Sequence, residues 1–499
     1  MDIKRDFYLD ELKAVMHNGL VKVITGIRRC GKSHLLPAVM KTTMLMFAAV
    51  AAVAMACPAA DAKLRFGVCS DLHLGEWNKG FYFERACAWW KGEKVDAIVI
   101  AGDLADGGDM KSVGYVRDTL QKVFGDEWPA LLVCWGNHDG GGKPDRLTKE
   151  NKELVLRDWF KMGETTYPTY LRKVKGYVFI GNHFRDWKGE QGLDAFLAEH
   201  ADEIRGPKPF FYFQHPHPRG TCHGEWVWGH DDGKTTAALS KYPNAVAFSG
   251  HSHQSLTDEH AIWQGAFTSV GTASMSFVCL PDGRENGSYA WPESRMPEFS
   301  KGWGHQAMTV TVSDDRIVLE RREFQFSPEG DALGEPWVVP LDGTRPLAVE
   351  ARAAAEKAPA FAADAKLVVT RRKGPLRDKK LPEEDQWHLA FPTAQPHDGL
   401  PRAFDYEVTA VCAVDDIERR IVKRVYSKWS FLEPARDPAA ECVFGVRELP
   451  PPGDVACTCE KFRGTVRFEV RPIGPFGTVG TPLVSETFPR DTCATDGRF

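Results

Sequence analysis

The sequence predicts an α/β domain followed by an all-β domain. Two patterns carry this expectation. Between Leu64 and Ser249, continuous apolar runs alternate with helix-like segments, as they do where strands are buried between layers of helices. In the last third, apolar and polar residues alternate with period two, as in Phe404–Val408 and Val466–Val470.

Taken in order, the strand runs are Leu64–Cys69, Ala97–Ala101, Leu131–Trp135, Tyr177–Gly181, Phe210–Gln214 and Ala245–Ser249. The helical segments are Phe81–Lys91, Met110–Phe124, Asp145–Lys161, Gly192–His200 and Thr235–Lys241. After Ala261 the chain turns β-rich, with a hairpin through Met308–Phe324 around Asp314-Asp315. Leu347–Ala365 is Ala-rich with scattered charges and reads as a helix or linker. Pro450-Pro451-Pro452-Gly453 separates later strands. The expected boundaries are 63–342 for the α/β domain, 343–364 for a linker and 365–499 for a β-sandwich.

The chain has 499 residues, about three domains' worth at roughly 150 residues each. Its 43% hydrophobic and 26% charged residues exclude a disordered polymer, a collagen and a polytopic membrane protein. Lys and Arg number 63 against 68 Asp and Glu, so no basic excess points to a nucleic-acid-binding surface. Twelve Cys over this length do not make a disulfide scaffold. Of 16 His, 12 fall between His73 and His305, which marks one His-rich domain.

The first sixty residues do not belong together. A strand-like run, Lys22–Thr25, precedes Gly26–Ser33, which has the G-x-x-x-x-G-K-[ST] pattern of a phosphate-cradling loop. Residues 1–39 resemble the opening of an AAA-type ATPase, and the resemblance then stops. One strand and one helix cannot bury a core alone. Met40-Lys41-Thr42-Thr43 is a short basic start, Met44–Ala56 is a 13-residue apolar run, and Ala54-Met55-Ala56 is a small-x-small cleavage pattern. Together they read as a secretory signal peptide over 40–62. The run falls short of the roughly 20 residues a spanning helix needs. A signal peptide behind a truncated ATPase fragment marks 1–39 as a fused or mis-started reading frame, with the start at Met40 or Met44. The expected location is exported: periplasmic, cell-surface or secreted. Cys57, directly after Ala54-Met55-Ala56, is where a bacterial lipoprotein would carry its lipid anchor.

Five polar clusters follow five of the strand runs. They are Ser70-Asp71-Leu72-His73, Gly102-Asp103, Gly136-Asn137-His138-Asp139, His215 and Gly250-His251-Ser252-His253. The carboxyl ends of strands are where α/β sheets place their sites. Asp71 and His73 are two apart, so an extended backbone would point both the same way, and His251 and His253 repeat that spacing. Carboxylate and imidazole without thiolate suit Zn, Fe or Mn, and a bridging carboxylate would hold two ions together.

These motifs, D-x-H, G-D, G-N-H-[DE], H and G-H-x-H, resemble those of the calcineurin-like metallophosphoesterases over roughly Leu64–Phe324. The resemblance implies a two-sheet β-sandwich flanked by helices and two divalent or trivalent metal ions, Mn, Fe or Zn. It implies that Asp71, His73, Asp103 and His253 hold the first ion. Asp103 would bridge, and Asn137, His215 and His251 would complete the second ion's shell. His138 would face the phosphate as a proton or hydrogen-bond donor, and Asp139 would orient His138. The choice of His215 over His217 rests on its place at the strand end.

Further candidates surround the site. The loop Thr221–Asp232 carries His223, Trp226 and His230, which either wall a substrate cleft or pack the loop down. His183 follows the Tyr177 strand, and His217 follows His215. In the C-terminal third, Val466–Phe488 with Pro475-Phe476-Gly477 resembles the last hairpin of a fibronectin III-like domain. The expected function is an exported phosphoester hydrolase using metal-activated hydroxide for in-line attack on phosphorus. The alternative is a surface binding protein with a vestigial metal site, in which the C-terminal sandwich binds. Phosphatase assays with added Mn and Zn separate the two.

Overall fold

A computed structural model of the chain describes residues 62–140, 147–185, 192–223, 230–279, 284–285, 304–374, 383–396, 399–414, 417–427, 439–449 and 463–491. The phosphate-loop motif Gly26–Ser33, the leader from Met40, Cys57 and Trp226 lie outside the described residues. Lys63–Phe499 forms one contact unit.

Phe66 sits where two sheets meet. It lies on β1 (Leu64–Cys69), and its ring makes edge contacts with Phe179, Phe211 and Phe248 at centroid distances of 5.1, 4.7 and 5.9 Å. Each such aromatic pair is worth about 0.5–1.5 kcal/mol beyond its buried area. In the first sheet, β1 pairs in parallel with β2 (Ala97–Ala101), and β2 with β3 (Ala130–Cys134). On its other side β1 meets the antiparallel hairpin of β10 (Gln306–Val312) and β11 (Arg316–Glu323), and β11 also pairs with β12 (Asp331–Ala332) and β13 (Trp337–Pro340). The second sheet runs β4 (Thr169–Val174), β5 (Tyr177–Asn182), β6 (Phe210–Phe213), β7 (Ala245–Ser249), β9 (Thr268–Gly271), β8 (Ile262–Gln264).

Strand β6 shows why the apolar runs are continuous. Phe211 and Phe213 join the core between the sheets, while Phe210 and Tyr212 join the outer core beneath α4 (Leu193–Glu199) and α6 (Lys234–Leu239). A strand covered on both faces has no polar side to show. The outer face of the first sheet is covered by α1 (Phe81–Gly92) and α2 (Met110–Phe124), through Phe83, Trp90, Val113 and Leu120. Asp109 caps α2 by accepting from Ser112 N at 2.9 Å, and the helix stops at Gly125 with φ 80°. Such a cap contributes about 1 kcal/mol. The fold is therefore mixed α/β, two sheets face to face between helices, as expected.

A short helix after α4, α5 (Ala201–Ile204), was not expected, and two further elements differ from expectation. The helix expected from Asp145 begins at Lys149, because the Thr148 side chain accepts from Asn151 N and caps it there. This short α3 (Lys149–Leu154) continues as a π-helical turn, Val155–Trp159. Strand β4 was not expected. It closes one edge of its sheet and carries Arg172 and Lys173, the charges an edge strand tolerates and a sequence pattern hides.

The C-terminal part forms two further sheets. One contains β14 (Val368–Gly374), β15 (Glu384–Pro392) and β18 (Ala439–Gly445). The other contains β17 (Ile417–Tyr426), β16 (Asp405–Val414), β19 (Arg463–Ile473) and β20 (Leu483–Val484), with β21 (Phe488–Asp491) on β19. Alternate residues, such as Trp387, Leu389 and Phe391 on β15 and Tyr406, Val408 and Ala410 on β16, share one core. The expected linker holds a helix, α7 (Val349–Ala355). Arg352 on α7 donates to the carbonyls of Glu259 and Ile262, while Glu356 accepts from Phe476 N and Thr478 N at 3.0 and 3.1 Å. The segment thus joins both parts by hydrogen bonds. Among the described residues no helix is long and apolar enough to cross a membrane.

Candidate metal centre

The clusters that follow β1, β2, β3, β6 and β7 meet on one rim of the two sheets. Backbone bonds tie them together: Asp71 N donates to Gly102 O, His73 N to Asp103 O and Gly250 N to His215 O, at 3.0, 3.0 and 2.9 Å. The backbone here is not extended. Asp71, His73, Asp103, His251 and His253 all have positive φ, between 43° and 72°. The side chains of Asp71 and His73 are brought together by left-handed turns, which corrects the extended-backbone expectation. Such conformations cost about 1–3 kcal/mol each and persist only where the surroundings impose them. The glycines follow from the crowding. A Cβ on Gly136 would collide with Asp103, and one on Gly250 with Asp71.

Three imidazole–carboxylate groups result, two of them fully buried. Asp71, His73 and His253 form one of the buried groups, and Asp103, His215 and His251 the other, each with its ligating atoms within 4.8 Å. His253 Nε2 lies 3.0 Å from Asp71 Oδ1, and His215 Nε2 lies 3.0 Å from Asp103 Oδ2. Asp103 Oδ2 is also 3.6 Å from His73 Nε2, so this carboxylate reaches both buried groups.

The donors fit metal ions. His253 Nδ1 bonds Phe277 O, His215 Nδ1 bonds Ala101 O and His73 Nδ1 bonds Asp106 Oδ1, at 2.9, 2.9 and 3.2 Å. Carbonyl and carboxylate partners fix the proton on Nδ1 and turn each Nε2 lone pair inward. The Nε2 atoms of His73 and His253 then face one another at 3.2 Å, an arrangement that calls for a cation. Asn137 Oδ1 is buried and accepts no hydrogen bond from a described residue. Asp71 and Asp103 are 0% and 1% exposed. Burial pushes the Asp71 carboxyl up, but the imidazoles of His253, His215 and His73 outweigh it and hold the group well below its ordinary range. Two adjacent buried carboxylates need positive charge beside them.

His138 belongs to the third group, with Asp106 and the His73 it meets at a ring centroid distance of 4.7 Å. Its backbone N–H donates to Asp103 Oδ1 at 2.8 Å, but its partly exposed ring faces Asp106, with Nδ1 3.5 Å from Oδ1. The Asp106 carboxylate pushes the His138 imidazole up to about 9. Asp139 does not orient His138. Its buried carboxylate accepts from Gly136 N, Ala105 N and Leu104 N at 2.8, 2.9 and 3.1 Å, and so clamps the third strand-end loop to the second. Asp106 was missed by the sequence reading. Its signal was a second carboxylate three residues after Asp103 on the same strand-end loop.

The remaining candidates fall elsewhere. His217 is 1% exposed, and both ring nitrogens are hydrogen-bonded to hydroxyls, Ser249 and Ser252, at 2.7 Å each. This corrects its assignment to substrate, because neither nitrogen is left to reach one. His223 is buried, with Nδ1 3.7 Å from Asp258 Oδ2, and belongs to none of the three candidate groups. His230 lies beside His217, with a ring centroid distance of 6.4 Å. His183 packs between Trp135 and Tyr167 at the end of β5, beside the Gly136–Asp139 loop.

Residues 64–255 match the family model of the calcineurin-like phosphoesterases. No curated protein matches the chain. Similar solved structures include a dimetal phosphatase from Danio rerio, at 13% identity and TM-score 0.36, covering 56% of this chain and 100% of that one. Another is a purple acid phosphatase from yellow lupin, at 13% identity and TM-score 0.37, covering 56% and 53%. A third is the inner-membrane-complex anchor GAP50 of Plasmodium, at 12% identity and TM-score 0.37, covering 56% and 89%.

Proposed function

We propose that this chain is an exported phosphoester hydrolase that works with two metal ions. The single observation that carries the reading is the reach of Asp103 Oδ2, 3.0 Å from His215 Nε2 and 3.6 Å from His73 Nε2. One carboxylate common to two imidazole groups is what a dinuclear centre requires. Asp71, His73, Asp103 and His253 would hold one ion, and Asp103, Asn137, His215 and His251 the other. Ions bound there would make water nucleophilic near neutral pH and offset charge gathering on the phosphoryl oxygens.

The chain's own groups supply the rest. His138, protonated through its Asp106 partner, would stand over the ester and give its proton to the departing oxygen. Asp139 keeps the His138 loop against the Asp103 loop, so the acid and the metal groups hold their spacing. Export is supported by the leader at 40–62, and the family match at residues 64–255 supports phosphoester chemistry.

The test is elemental analysis together with turnover. Protein loaded with Mn, Fe or Zn should carry two ions per chain and hydrolyse an aryl phosphate. One ion per chain, or no hydrolysis of any mono- or diester in a broad panel, would sink the reading. N-terminal sequencing of protein recovered outside the cytoplasm tests export, and an intact Met1 start on that protein would refute the leader.

A further inference from the structure

The loop that carries Asn137 and His138 begins at Trp135 and ends at Gly140, and both of these residues also line a cavity of about 240 Å³. Whole-ligand pockets run to about 300–1,000 Å³, so this one has room for a single ring or a small anion. Its chemistry is specific. His183 is 2% exposed, and its Nδ1 accepts the Trp135 backbone N–H at 3.1 Å. The ring proton of the neutral imidazole must then sit on Nε2. That buried Nε2–H has no protein acceptor among the described residues. Burial keeps the imidazole neutral by pushing its pKa down to about 3.

Lys152 on α3 supplies the charge. Its ammonium lies 5.3 Å from the centre of the Trp135 ring and makes no ion pair or hydrogen bond among the described residues. The other charged residues of the cavity, Lys149 and Glu153, pair with each other at 3.9 Å. Among the described lining residues, Lys152 is therefore the cation without an ion pair. The Tyr167 ring lies parallel to His183, with 5.8 Å between centroids and 10° between planes. One cation, one buried N–H donor and aromatic walls suit a flat molecule with an acidic edge.

We propose that this cavity is a subsite for a planar, negatively charged group on the leaving alcohol of the ester. The proposal rests on the hydrolase reading for the word leaving, because the cavity abuts the loop bearing the expected acid, His138. The competing role for Lys152 is structural, as a partial counter-charge to buried Asp139.

Titration calorimetry on the full chain tests binding directly, with 4-hydroxybenzoate and phenol as probes. The wild type should bind 4-hydroxybenzoate at least tenfold more tightly than phenol. Lys152→Met should weaken the carboxylate at least tenfold, and Lys152→Arg should restore most of it. On metal-loaded protein, the kcat/KM preference for 4-carboxyphenyl phosphate over phenyl phosphate should fall at least tenfold in Lys152→Met. Unchanged carboxylate binding in Lys152→Met, with only a lower unfolding midpoint, would make Lys152 structural and overturn the site. Weakened binding with an unchanged ester preference would overturn the leaving-group placement. If the wild type hydrolyses neither ester yet binds 4-hydroxybenzoate through Lys152, the hydrolase reading fails while the anion site stands.

Discussion

Asp106 Oδ1 lies 3.5 Å from His138 Nδ1, and that one carboxylate, rather than the adjacent Asp139, partners the expected acid. The same oxygen is 3.2 Å from His73 Nδ1. Asp106 therefore couples the His73 imidazole, a candidate ligand, to that of His138 from the exposed lip of the site.

Asp106→Asn should weaken both functions together. The amide keeps the shape but loses the charge that holds the Nδ1 proton on His73 and the proton on His138. Losing such an outer partner typically costs 10–100-fold in metal affinity or activity. The expected result is a metal affinity about 10–100-fold weaker by competition with a chelator, and a lower rate at saturating metal. Unchanged values for both would remove Asp106 from the site.

Asp103→Asn and His138→Ala should separate ligand from acid. Asp103→Asn removes the charge common to both imidazole groups, so elemental analysis should show at least one ion lost along with turnover. His138→Ala removes no expected ligand, so both ions should remain while the rate falls roughly 10²–10⁴-fold on an alkyl phosphate. The loss should be smaller for an activated aryl ester, whose leaving oxygen needs no proton. Metal loss in His138→Ala would make His138 a ligand instead.

The site was legible in the sequence wherever chemistry sits directly after an apolar run. Asp71, Asp103, His215 and His251 all follow such runs within two residues of a strand end, and the sheet order brings them together. What could not be read was which carboxylate faces which imidazole. That depends on left-handed turns at Asp71, His73 and Asp103, which local sequence does not announce in non-glycine residues. His217 was misassigned for a related reason: its hydroxyl partners, Ser249 and Ser252, are 32 and 35 residues away. Strand β4 was hidden by its edge charges, whereas β6, apolar on both faces, was plain from its run of aromatics.

A chain beginning at Lys63 should fold and turn over phosphoesters as well as the full chain. Strand β1 starts at Leu64 and pairs with β10 from that residue, so the cut leaves the first sheet whole. The check is a matched unfolding midpoint and equal kcat/KM with the same metal. Aggregation of the shortened chain, or loss of rate in Lys32→Ala, would show that the leader region contributes.

Asp258 should make stability depend on pH in a defined window. Its buried carboxylate accepts from His260 N and faces His260 Nδ1, at 2.8 and 2.9 Å. Burial pushes the carboxyl up, but the imidazoles of His260 and His223 outweigh it and hold it well below the ordinary range. For His260 burial acts downward, yet the Asp258 charge raises its pKa. A depressed carboxylate pKa gives stability that is full above the ordinary value of about 3.9 and lost as pH falls through the folded value. A raised histidine pKa gives stability that is full below about 6.5 and lost as pH rises through the folded value. Both contributions are complete together only between about pH 4 and 6.5. Adjacent to this pair, Arg402 donates to Thr257 O and Glu259 Oε2 at 2.9 Å each, so the loop also anchors the C-terminal sandwich. Asp258→Asn should therefore cost about 1.5–3 kcal/mol near pH 5.5, the worth of hydrogen bonds to a charged group, since His260 is only half-buried. The loss should be smaller at pH 9 than at pH 5.5, because it shrinks as pH rises through the raised folded value of His260. Urea unfolding midpoints of wild type and variant at the two pH values measure this. A cost that is the same at both would mean the carboxylate serves as a neutral hydrogen-bond acceptor and carries no coupled charge.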